Sequence, residues 1–277
     1  MSLKISSDFS AMANSTLSQL HKHQSAMGKS IERVSTGYKV NGADDGSLKL
    51  YMTRKFDMKA DEQAATNESM QVGASFLNMA DKALNSIFDT LKQMRENALA
   101  VANGEAGDST TLSEVKSDYA SLAADIKSIV TNTKFNGTAV IGSAATSTVI
   151  MNDATQGWTT TFTIPALSDV VSLAASDIAD QSTAQSALAS TGALGKAIEQ
   201  VSAAQREVGT SLARINNMTT YLDDMAEVNT EARDTIRNAD QAKEMTEYVR
   251  QNVLAQASQA MLSQANSGLA SVLNLLS

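Results

Sequence analysis

Cysteine is absent from this chain, which removes disulfide frameworks, thiol catalysis and cysteine-ligated metal sites. Proline occurs once, at Pro165, and only 4% of residues are aromatic. Compact enzymes usually draw more core area from aromatic side chains; Ala, Leu, Met, Gln and Ser with so few breakers favour long helices packed lengthwise. Histidine is limited to His21 and His23. They stand two apart, on different sides of a helix, and read as polar-face residues rather than a metal site. Positive charge is short too. Lys and Arg number 22 against 30 Asp and Glu, a formal net charge of -8, so no nucleic-acid partner is expected, because phosphate binding needs clustered cations. The start, "MSLKISSDFSAMANSTL", lacks the basic onset and continuous apolar run of a cleaved secretory signal, so export would need another route.

What is present is periodicity. Ala13, Leu17, Leu20, Gln24, Met27, Ile31 and Val34 alternate spacings of four and three, an a/d seam with one polar position. The seam stops at "STGYKVNGADDG". A second series runs Met70, Gly73, Leu77, Ala80, Leu84, Ile87, Leu91, Met94, Ala98, Val101, and a third Leu112, Val115, Tyr119, Leu122, Ile126, Ile129, with Asp108 and Ser109 as candidate caps. From about Thr138 to Ile164 the composition shifts to Val, Ile, Thr and aromatics, with Asn136-Gly137 and Gln156-Gly157 as turn signals; short strands and hairpins are expected there, closed by Pro165. A four-three rhythm then returns from Ala197 to Ala239, a helix of about 65 Å.

The last arm places Met245, Val249, Val253, Leu254, Ala257, Met261, Ala265, Leu269, Val272, Leu273 and Leu276 on one broad face, and Leu254 to Ser277 holds no charged residue. Gln256, Gln259, Gln264, Asn266 and Asn274 interrupt it, so no membrane span is expected. The fold class expected is mainly α: a long antiparallel coiled-coil-like helical hairpin with a small β-hairpin lobe and the terminal helical arms together at one end. Two narrow helices bury little by themselves. The arms are therefore expected to complete their core against copies of the same chain.

Both ends carry motifs that resemble bacterial flagellin. "LSQLHKHQSAMGKSIERVSTGYKVNGADDG", Leu17 to Gly46, is similar to the family's heptad helix leading into an E-R-[LV]-S-[ST]-G turn and an acidic pair. "IRNADQAKE" and "LAQASQAMLSQAN" with the final "VLNLL" resemble its closing segment, and "MRENALAVANG" and "TKFNGTAV" its first-domain helix and hairpin entry. The short middle implies a member without large outer domains. The resemblance implies a structural subunit, not an enzyme, exported unfolded by the flagellar type III apparatus and assembled under a cap into an extracellular helical filament for motility. A hook-filament junction protein is the alternative. It implies no cofactor and no metal; a homopolymer; and cap, junction and export-chaperone partners. Residues 1–43 and 238–277 would form the inner filament core and 44–237 a rod-like domain.

The residues expected to carry self-assembly are Leu17, Leu20, Met27, Ile31, Val34, Leu254, Met261, Leu269, Val272, Leu273 and Leu276. Gln93, Arg95, Glu96 and Asn97 are expected on a face that the family presents to neighbouring subunits and to an animal innate immune receptor. Gln93 stands where the family often has arginine and Asn97 where it has leucine, which weakens the receptor reading. Asp44 and Asp45 are adjacent and diverge, so they read as solvated turn carboxylates or a subunit contact rather than an acid/base pair. "DDGSLKLYMTRKF" also departs from the family's small residues after the acidic pair, and Leu48, Leu50, Tyr51 and Met52 are expected to alter subunit contacts. No nucleophile elbow, phosphate loop or metal cluster appears.

Overall fold

The computed structural model describes residues 2–142, 148–153 and 158–276, with side chains described outside 2–10, 148–161, 269 and 271–276. Seven α-helices are described: α1 (Ser2–Thr36), α2 (Ser47–Ala102), α3 (Ser109–Asn132), α4 (Ser168–Val171), α5 (Gln181–Leu188), α6 (Ala193–Arg237) and α7 (Gln241–Leu276). Four strands form two antiparallel hairpins, β1 (Lys134–Phe135) with β2 (Thr138–Ala139), and β3 (Thr148–Asp153) with β4 (Trp158–Thr163). The protein is mainly helical with a small β part, as its composition implies. It divides into two compact units, residues 1–60 with 227–277, and residues 61–226.

The second unit holds the apolar core. Every member of the Met70 to Val101 series is buried in α2, and Tyr119 and Ile126 of α3 and Leu194, Ala197, Val201, Ala204, Val208 and Ile215 of α6 close over it. Gln205 donates to Asn85 at 2.8 Å and Asn67 pairs with Asp223, so α2 and α6 run antiparallel through this unit. Phe76 and Phe135 meet edge to face at 5.8 Å. The tight turn of the first hairpin is Asn136-Gly137, with φ of 49° and 80°. Positive φ at both central residues is the type I′ geometry that Asn-Gly favours. Gln156 and Gly157 lie outside the described residues. Asp108 caps α3, accepting from the amides of Thr110 and Thr111 at 2.9 and 2.8 Å, and its carboxyl is held below the usual range first by the Thr111 hydroxyl and then by these amides. Ser109 is the first helical residue rather than the cap. Tyr119 is fully buried, and that burial, with the charge of Asp177 second, pushes its phenol pKa upward.

One expectation needs correction. The Ala197 to Ala239 rhythm is interrupted before its end: α6 stops at Arg237, because the Ala239 amide donates to the Gly37 carbonyl at 2.9 Å instead of continuing the helix. Asp240 then caps α7, accepting from the amide of Lys243 at 3.1 Å. The segment before α6 is built of short pieces. It breaks into α4, a 3₁₀ turn at Ala175–Ile178, and α5, whose cap Asp180 accepts from the Thr183 amide at 2.8 Å while the Asp180 amide donates to the Thr183 hydroxyl.

Candidate functional site

In the first unit, the α1 terminus fixes where the two arms join. Gly37 adopts φ of 74°, the left-handed geometry that glycine provides at a helix end. Its amide returns to the Arg33 carbonyl at 2.9 Å. Tyr38 and Asn238 form an antiparallel bridge, the Lys39 amide donates to the Arg237 carbonyl at 2.6 Å, and the Arg237 guanidinium lies 3.9 Å from the Tyr38 ring centre. Arg33 ties this joint together. It donates to Asp45 on the 3₁₀ turn Ala43–Asp45 and to Glu244 at the start of α7, both at 3.3 Å. The Asn41 amide donates to the same Asp45 carboxylate at 3.1 Å. That amide, with Arg33, holds the Asp45 carboxyl below its ordinary value against the opposing effect of its desolvation. Asp44 points away, 3.9 Å from Lys29 and largely solvated. The acidic pair thus diverges as its adjacency requires, but Asp45 is an anchor, not a solvated carboxylate. Spacing alone does not reveal it. The signal is nonetheless in the sequence: the arginine of "ERVSTG", the second aspartate of "DDG" and the glutamate of "QAKE" are the three charges that meet here.

Beyond the joint, α1 and α7 pack along their length. The less exposed positions of α1 include Ala13, Thr16, Leu20, His23, Met27, Ser30 and Val34, again in a three-four rhythm. On α7 they include Glu244, Tyr248, Gln251, Ala255, Ser258, Leu262 and Ala265. The best-buried side chains of the pair are small or polar: Ser30 at 3%, Ser258 at 8% and Gln251 at 9% exposure. His23 Nδ1 donates to Gln251 Oε1 at 2.7 Å, and Gln251 Nε2 donates to Glu247 at 2.6 Å. Arg250 also donates to Glu247 at 2.7 Å and is the main cause of its lowered pKa.

Apolar side chains lie on both sides of the pair. Leu20, Met27 and Val34 are half-buried in the pair, whereas Leu17 and Ile31 are exposed. On α7, Met245, Val249, Val253, Leu254 and Met261 are all exposed, Val253 at 59%. Leu269, Val272, Leu273 and Leu276 belong to α7, but their side chains lie outside the described residues. Single exposed apolar side chains are ordinary; several along one helix are a feature that calls for an explanation. In the second unit, Gln93, Arg95 and Glu96 are exposed on α2 and Asn97 is half-buried. Gln93, Glu96 and Asn97 share a shallow groove with Asp118, Ser121 and Leu122 of α3, and Arg95 lies outside it.

Among the described residues no group of three His, Asp or Glu could hold a metal, and no helix is long and apolar enough to cross a membrane. An arm pair whose best-buried side chains are polar and which leaves large apolar side chains exposed, in a chain whose other unit holds a separate apolar helical core, has the make-up of a structural subunit. Residues 8–146 match the family model for the bacterial flagellin N-terminal helical region, and 191–276 that for the C-terminal helical region. The chain is 31% identical to a flagellin of Halalkalibacterium halodurans over 253 residues, 90% of this chain and 91% of that one. It is 29% identical to a flagellin of Bacillus subtilis over 295 residues, covering 95% and 97%. It is likewise 29% identical over 267 residues to the flagellar filament 33 kDa core protein of Treponema phagedenis, covering 90% and 91%. A crystal structure of Bacillus cereus flagellin matches at a TM-score of 0.41 and 22% identity, over 65% of this chain and 93% of that one. The chain belongs to the bacterial flagellin family. It is a filament subunit with a structural role and not an enzyme.

Proposed function

We propose that α1 and α7 line the inner part of the flagellar filament, with the outward apolar rows of each copy buried against the arms of its neighbours. The observation that carries this is how little apolar surface the arm pair buries: within its seam Leu20, Met27, Val34 and Leu262 are only half-buried and the best-buried side chains are Ser30, Gln251 and Ser258, while Val249, Val253 and Met261 face outward. A helix pair this poor in internal apolar burial has its main source of stability outside itself. Leu17, Leu20, Met27, Ile31, Val34, Leu254, Met261, Leu269, Val272, Leu273 and Leu276 are the self-assembly residues in this reading, with residues 1–43 and 238–277 as the assembly module and 44–237 as the body.

In this proposal the subunit leaves the cell unfolded through the flagellar type III apparatus, guided by an export chaperone, and adds beneath a cap to a filament that starts on junction proteins. The uncharged stretch Leu254 to Ser277 suits an arm that orders only on assembly. The groove of Gln93, Glu96 and Asn97 is a subunit contact in this reading; recognition by an innate immune receptor is weakened by Gln93 and Asn97. Deleting Leu254 to Ser277 tests the proposal by negative-stain microscopy of seeded protein. Full-length chain should give long filaments and the truncated chain none. Filaments of normal length from the truncated chain would refute the role given to α7.

A further inference from the structure

The first unit has a second exposed apolar surface, carried by α2 and not by the arm helices. Leu48, Tyr51 and Met58 on the first turns of α2 are 70%, 63% and 62% exposed, the largest exposures among the described large apolar side chains. They are interleaved with cations. Between Ser47 and Ala60, Lys49, Arg54, Lys55 and Lys59 stand against one acid, Asp57, in a chain whose net charge is -8. Asp57 is already engaged, with Arg233 at 3.1 Å and Arg237 at 3.9 Å. Lys55 and Lys59 make no ion pair among the described residues. They lie one turn apart, a like-charge spacing that weakens a helix unless an opposite charge is supplied.

The same unit carries the complement. Glu227 and Glu231 of α6 are also one turn apart, exposed, and in no ion pair among the described residues. They line a shallow groove with Thr230, Asp234, Thr235 and Asn238, beside the exposed Val228. The two charged pairs cannot meet within one copy without turning the helices over. Lys55 and Lys59 flank Asp57 at two residues each and so lie about 160° round α2 from the side that grips α6. Glu231 lies two residues from Arg233, about 160° round α6 from the side that grips α2.

We propose that the Leu48–Tyr51–Met58 face of α2, with Lys55 and Lys59, docks on the Glu227–Glu231 groove of α6 in the next copy of this chain. This rests on the filament-subunit reading and specifies one of its contacts. Because the two patches differ and face opposite ways, the contact is head to tail. Such a contact propagates instead of closing as a two-fold pair. The equal one-turn spacing of the two charge pairs sets the register, and the apolar side chains of α2 supply the burial.

The test uses two full-length variants in seeded growth read by sedimentation. Lys55→Glu with Lys59→Glu makes both faces acidic; Glu227→Lys with Glu231→Lys makes both basic. Each alone should raise the concentration needed for growth about tenfold or more, since like charges are then opposed. An equimolar mixture should grow close to wild type, because each variant now presents the complement of the other. Growth of either variant alone at the wild-type concentration overturns the proposal, and so does failure of the mixture. Circular dichroism of each monomer checks folding, and a variant that loses helix is replaced by Lys55→Gln with Lys59→Gln, which should raise the threshold and flatten its salt dependence; an unchanged threshold overturns the proposal. If wild-type protein forms no filament under the same seeding, it is the filament-subunit reading that fails.

Discussion

Arg33 illustrates how one side chain can hold several pieces of chain without catalysing anything. Its guanidinium spans Asp45 and Glu244, which are 9% and 13% exposed at the side chain, so each carboxylate would lose its charge-assisted bond if Arg33 were removed. The Asp45 carboxyl is held below its unperturbed value of 3.8, first by the Asn41 amide and then by Arg33. A lowered folded pKa means that the stabilisation is fully present above the unfolded value and is lost as pH falls through the folded one. Urea unfolding of the monomer between about pH 6 and about pH 3 should therefore show a smaller loss of stability in Asp45→Asn than in wild type. An identical pH dependence in the two proteins would show that Asp45 is not the group responsible. None of this is visible from the adjacency of Asp44 and Asp45 alone. Residue spacing says that neighbours diverge, but which of the two finds a partner depends on how the turn after α1 folds back to set Asp45 against Arg33 and the Asn41 amide.

Among the elements, legibility tracks where the burial partner resides. The α2 series from Met70 to Val101 is buried throughout, because its partners, α3 and α6, are in the same chain and apolar periodicity then reports the inside directly. The same rule applied to the arms gives a different result. Periodicity puts Leu17 and Ile31 in the seam with Leu20 and Val34, yet the α1–α7 pair turns Thr16 and Ser30 inward and leaves Leu17 and Ile31 exposed. Periodicity identifies an apolar face; it does not say whether that face meets this chain or another. The short helices α4 and α5 are illegible for a simpler reason: at four and eight residues they are too brief to show a period, although Asp180 is a legible cap. At this scale Ser30→Leu and Ile31→Ser should separate. The larger leucine side chain would overfill a tight seam, with a cost of roughly 1–3 kcal/mol, whereas Ile31→Ser on the exposed side should stay within about 0.5 kcal/mol. Urea titration of the monomers followed by circular dichroism checks the order, and a larger loss from Ile31→Ser would reverse the seam assignment.

For the molecule as a whole, the division into two units assigns two kinds of stability. Residues 61–226 contain the full apolar cluster from Met70 to Leu222 and should fold as an isolated fragment with a cooperative thermal transition; a fragment that melts without cooperativity would show that its core depends on the remaining chain. Residues 1–60 with 227–277 bury little apolar surface and expose much, which is the distribution expected of a module that gains its stability from assembly. Matches to the family models cover 8–146 and 191–276, so the arm helices and most of the body are the part shared with the family.

The central claim is that the outward apolar row of α7 is an assembly surface, and the most direct measurement is the concentration threshold for seeded growth of Val249→Asp with Val253→Asp. Both positions are more than half exposed in the monomer, so monomer helix content and urea stability should stay within about 0.5 kcal/mol of wild type. In the filament each carboxylate would be desolvated without a partner, at a cost of several kcal/mol per contact. The account predicts an unchanged monomer and a threshold raised about a hundredfold or more. A variant that grows at the wild-type threshold, with its monomer intact, would contradict it.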